Sequence, residues 1–146
     1  MPPEKTLVEG GRRRSSSRDF TVEQANRALV YVRKVVSDIV RTYRRLLGLR
    51  LRRAQLLQSP AGFEHAEALR EDIGWCVGEL KALSSELSLV GCELKDWRLG
   101  LVDFPSTLDD RRVLLCWRLD EPAVGHWHEA TEGFADRKPL QSESPN

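Results

Sequence analysis

Sulfur and aromatic side chains are scarce in this chain, with one Met, three Cys, two Tyr, four Phe and four Trp among 146 residues. The cysteines, at positions 76, 92 and 116, are odd in number and widely spaced. That argues against a disulfide framework and against a CxxC zinc site. No apolar run approaches the roughly 20 residues needed to span a bilayer, so no membrane association is expected. The start also lacks the apolar core of a secretory leader, which makes the cytoplasm the expected compartment. Charge of one sign is missing too. A formal net charge of +1 supplies no global attraction to nucleic acid or to a membrane surface. A Gly-rich phosphate loop, a GxSxG elbow and an HExxH pair are all absent.

What the chain does have is apolar periodicity. Residues 1–18 show none and are rich in Arg, Ser, Pro and Gly, the composition of a disordered basic tail. The cluster Arg12, Arg13, Arg14, Ser15, Ser16 and Ser17 would suit a phosphosite or a weak nucleic-acid contact, though a plain solvated tail is the preferred reading. The fold begins at Thr21, which with Gln24 forms a capping box behind Phe20. Val22, Ala25, Leu29, Val32, Val36, Ile39, Tyr43 and Leu46 then follow a 3-4 heptad spacing, and the stripe continues through Leu47, Leu51 and Ala54. The sequence around Pro60 marks a turn. A second helix is predicted over 63–90, with the seam Ala66, Leu69, Ile73, Cys76, Leu80, Leu83, Leu87 and Val90 and with Gly91 as its stop. Two such seams joined by a turn predict a long antiparallel helical hairpin over 19–90.

Charge is divided between these helices. Residues 19–58 carry nine basic and three acidic side chains, whereas residues 63–90 carry two basic and six acidic. Nucleic acid is disfavoured as a partner, because no aromatic residues interleave with the arginines. Mutual attraction of the two helices is the preferred reading. Gly74 and Gly78 lower helix stability, so another element is expected to approach them closely. Two seams bury little beyond each other, so further apolar surface must be covered by the C-terminal segment, a second copy, or both. A homodimer is expected.

The C-terminal segment, 91–140, reads as β. Strands are predicted over 92–96, over 99–104 with Pro105 as the stop, over 112–118, and over 124–129. Val113, Leu115 and Trp117 fall on one face of the third, with Leu114 and Cys116 on the other. Being apolar on both faces, that strand is expected to lie centrally. The fold class is therefore α+β, a helical hairpin followed by an antiparallel meander of three to four strands. Residues 19–140 form one domain, and residues 141–146 are expected to fray.

The same segment carries a resemblance. LKDWRLGLVDFP, then RRVLLCWRLDEP, then HWHEATEGFADRKP resembles the family called domain of unknown function 2203. Its pattern runs through a KD pair, GLVDFP, CW, a Glu, WH, and GF followed by R-x-P. This chain departs from it with Asp120 where the family has Gly, and with Asp109 and Asp110 in a turn that usually contains Gly. The resemblance brings no known activity.

Candidate chemistry collects in this segment. His128 with Asp103 and Glu121 would serve as catalytic acid-base groups. Lys95, Asp96 and Arg137, with Trp117 and Trp127, would form a site for a small anionic ligand. An ion-pair network joining the sheet to the helices would use the same residue types and is the preferred reading. His126 and His128 share a strand face as an H-x-H pair, to which Asp103 or Glu129 could add a third ligand. Two histidines alone do not make a metal site, however, and the cysteines are widely spread, so no metal and no cofactor is expected. Cys116 reads as a small core residue. The favoured function is a binding or scaffold protein that self-associates through its helices. The alternative is a small enzyme of hydrolase or phosphoryl-transfer type using His128 and nearby carboxylates.

Overall fold

A computed structural model describes residues 19–140. The expected basic tail at 1–18 and the C-terminal tail at 141–146 lie outside the described residues. The chain is α+β, with helices first and a sheet after them.

Helix α1 spans Val22–Leu56. It starts at the predicted capping box: Gln24 N donates to Thr21 Oγ1 at 3.0 Å and Thr21 N donates to Gln24 Oε1 at 2.9 Å. Six seam residues, Ala25, Leu29, Val32, Val36, Ile39 and Leu46, are buried. Val35 and Val40 are buried as well, so the buried face is wider than a heptad stripe. One core cluster joins this face to Val102, Phe104, Leu115 and Trp117, and Val40 Cγ2 would lie 3.1 Å from a Cβ added at Gly100.

The predicted second helix is two helices, α2 (Phe63–Ala68) and α3 (Arg70–Val90), which meet at Leu69. Leu69 serves as C-cap of one and N-cap of the next without leaving the αR region. Periodicity alone does not register such a break, since the apolar spacing runs through it. Cys76, Leu80, Leu83 and Leu87 of α3 join the cluster with α1. Gly91 ends α3 at φ 109°, the left-handed conformation that glycine adopts without strain. The close approach expected at Gly74 and Gly78 is not made: within the described residues nothing lies within 4 Å of a Cβ placed at either.

Five strands follow, not three to four: β1 (Glu93–Asp96), β2 (Leu101–Leu108), β3 (Arg111–Arg118), β4 (His126–Glu129) and β5 (Lys138–Pro139). They form one antiparallel sheet in sequential order, with β3 central as predicted. The fifth is a two-residue strand with no apolar alternation to betray it. β2 does not stop at Pro105 but runs to Leu108. It pairs with β1 only as far as Asp103, so beyond that point its β1 side is a free edge, where proline's missing N–H removes no ladder bond. The chain entering α1 covers this edge: Phe20 N donates to the Pro105 carbonyl at 2.7 Å, and Phe20 packs edge-on against Phe104.

The β2–β3 turn is just Asp109 and Asp110, both with positive φ (51° and 64°), as a two-residue primed hairpin requires. At the other end of the hairpin Gly100, φ 72°, lies so close to α1 that an added Cβ would sit 2.9 Å from Val36 Cγ1 and 2.9 Å from Leu119 Cβ. Glycine is required there on both counts.

Candidate functional site

Alternation along the strands creates two unlike faces. Val102, Phe104, Leu115 and Trp117 join the helix-side core. Asp103, Cys116 and His128 point the other way, as register requires: Asp103 pairs with Cys116, and Leu114 with His128. All three are nonetheless buried, at 2%, 0% and 2% exposure.

His128 is held at both nitrogens. Nδ1 lies 2.8 Å from the Glu129 carbonyl, which can only accept, so that nitrogen carries a hydrogen. Nε2 is thereby turned toward Asp103, 3.3 Å from Oδ1 and 3.2 Å from Oδ2. Burial pushes the Asp103 carboxyl above its usual range, while His128 and Lys95 act in the opposite direction. Burial also pushes the Cys116 thiol up to about 11, despite Arg137 nearby. A thiol so placed is a poor nucleophile. Donor atoms of Asp103, Cys116 and His128 all lie within 4.8 Å of one another.

Glu121 and Arg137 form a second unit beside this trio. Arg137 Nη1 donates to Glu121 Oε1 at 3.1 Å, a second guanidinium nitrogen meets Oε2, and Nη1 also lies 3.7 Å from Cys116 Sγ. Burial acts to raise the Glu121 carboxyl, but bonds from Arg137 and the Arg118 amide outweigh it and hold the carboxyl below its usual range. The same loop is tied to α1. Arg33 donates to the Glu121 and Pro122 carbonyls at 3.2 and 3.0 Å, and Trp117 Nε1 donates to Glu121 O at 3.0 Å.

The remaining sequence candidates make their main contacts elsewhere. Lys95 is exposed and pairs with Glu93 at 3.6 Å. Asp96 caps a turn, accepting from the Arg98 and Leu99 amides at 2.8 Å each. Trp117 is core, under the Arg33 guanidinium. Trp127 packs on the core cluster with Arg111 and Lys138 over its ring. His126 lies 3.9 Å from Glu121. β5 pairs with β4 at His126 and Trp127, while His128, beyond that pairing, is buried at 2% exposure.

The family model for Uncharacterized conserved protein (DUF2203) matches residues 18–140. The chain belongs to that family. No curated protein and no solved structure matches it. The motifs that carry the resemblance to DUF2203 now have places: GLVDFP is most of β2, CW and WH lie on β3 and β4, and the isolated Glu and Arg form the pair beside them. Sequence reasoning left Cys116 among the core residues. The available signal was strand parity, which already put it on the face opposite Leu115 and Trp117.

Proposed function

We propose that this protein is a binding or scaffold protein of the cytoplasm that self-associates through its helices. In this reading α1 with α2 and α3 forms an antiparallel, heptad-patterned hairpin, and residues 19–140 act as one domain. The observation that carries it is the condition of the helical end remote from the sheet. Leu51, Leu57, Phe63 and Trp75 are all exposed there, an apolar surface of the kind that marks an interaction site. A groove of about 570 Å³ lies among Arg50, Arg53, Ala54, Leu57, Ile73 and Gly74.

The occupant that fits is a second copy. A two-fold interface brings the same patch together twice, so a surface carrying both signs of charge complements itself. Here Arg45 and Arg53 of α1 lie 3.8 Å from Asp72 of α3 and 3.5 Å from Glu67 of α2, respectively, so both signs are present on this end. The Arg53–Glu67 pair forms within the chain, so α1 and α2 already meet through opposite charges there. Gly74 and Gly78, open at their Cβ positions, permit close helix approach and so repay their cost in helix propensity. The enzyme reading is less favoured, because its charged residues divide into the buried Asp103–His128 pair, the Glu121–Arg137 ion pair, and Lys95 and Asp96 with partners of their own.

Light scattering after size exclusion tests this. The intact chain is expected at twice 16.7 kDa, and Gly78→Leu or Trp75→Glu is expected to shift it to the monomer mass. A monomeric intact chain at tens of micromolar would overturn the proposal.

A further inference from the structure

We infer that Asp103, Cys116 and His128 form a binding site for a divalent cation of the zinc type. The three donor types, carboxylate, thiolate and imidazole, are those that zinc accepts. They come from three adjacent strands and converge on one buried point of the sheet face away from the helices.

The distances fit shared ligation as well as they fit a hydrogen-bonded pair. His128 Nε2 lies 3.3 and 3.2 Å from the two Asp103 oxygens. That is within hydrogen-bond reach, though longer than the roughly 2.7–2.9 Å of a charge-assisted bond. It is also close to the separation of two ligands on one tetrahedral ion. Nitrogen and oxygen atoms at about 2.0–2.1 Å from zinc stand roughly 3.3 Å apart.

The surroundings are those of a metal ligand set. His128 Nδ1 donates to the Glu129 carbonyl. This fixes the ring and leaves the Nε2 lone pair aimed at the trio, as a carbonyl partner does behind a ligating histidine. Arg137 Nη1, 3.7 Å from Cys116 Sγ, is placed to stabilise a thiolate, while its charge is already balanced by Glu121. Binding of the ion displaces the proton of the Cys116 thiol, since a thiolate and not a thiol is the ligand. Three protein donors leave a fourth position for water.

Cobalt(II) reports directly on thiolate ligation, through a sulfur-to-metal charge-transfer absorption. Cobalt(II) alone, titrated into the full-length apo protein, is expected to give this absorption at one ion per chain, and zinc should abolish it. Cys116→Ser is expected to remove the band, whereas Cys76→Ser and Cys92→Ser keep it. His128→Gln and Asp103→Asn should each weaken binding by more than about tenfold, the scale on which even outer partners of a metal ligand act. Circular dichroism of each variant separates loss of ligand from loss of fold. No charge-transfer band in the intact, folded protein would overturn the inference. So would a band that survives in folded Cys116→Ser.

Discussion

The two ends of α1 carry the same apolar stripe but meet different fates. From Ala25 to Val40 the helix is buried on an enlarged face, because α3 and the sheet both lie against it. From Leu47 onward the stripe continues in the sequence, yet Leu51 is 61% exposed and Ala54 is exposed as well. The difference is the presence of a second neighbour. Periodicity states which side of a helix is apolar, but what covers that side is decided by elements far away in the chain.

This contrast can be broken or sharpened by substitution. The largest effect is expected on the sheet side. Trp117 is fully buried and also bridges to the Glu121 carbonyl, so Trp117→Ala should cost about 3–5 kcal/mol in urea unfolding. Next comes Glu121→Gln, which breaks the pair with Arg137 and should cost roughly 1.5–3 kcal/mol at neutral pH. The folded carboxyl is held below its ordinary value of 4.5. Its contribution is therefore present above pH 4.5 and lost as pH falls through the folded value. The gap between wild type and variant should close in acid, and a gap independent of pH would argue against the assigned role.

Gly100→Ala tests the contact between sheet and α1 itself. A positive φ and two approaches of 2.9 Å are expected to cost on the order of 1–3 kcal/mol. At the opposite rim, Asp110 sits at φ 64° in the β2–β3 turn. Asp110→Gly should stabilise the protein by up to about 1 kcal/mol, since glycine is the preferred second residue of such a turn. The smallest change is expected at the remote helix end. There Leu51→Ala should alter monomer stability by less than about 0.5 kcal/mol, while weakening self-association. A large loss of monomer stability would mean that the end is already packed.

Much of the architecture was legible because each helix announces itself locally. The Thr21–Gln24 box, the seam through Ile39 and the stop at Gly91 are all short-range signals. The break at Leu69 was not, because both sides keep the same spacing. Pro105 misled for a positional reason. It forbids a ladder bond only where a neighbouring strand exists, and β1 ends before it. β5 escaped notice because two residues carry no alternation. In the site, His128, Asp103 and the Glu121–Arg137 pair were named from residue type, and the fold brings them near one another. Lys95 and Asp96 belong to a turn and an exposed strand end. Cys116 was passed over because its partners are 13 residues before it in β2 and 12 after it in β4, a proximity set by register alone.

Hydrogen exchange across a dilution series tests the contrast between the two ends most directly. Amides at 25–40, held by α3 and the sheet, are expected to keep the same protection at every protein concentration. Amides at 50–57 and 70–78 are expected to lose protection as the chain is diluted and the second copy leaves. Protection at the remote end that is high and independent of concentration would contradict the account.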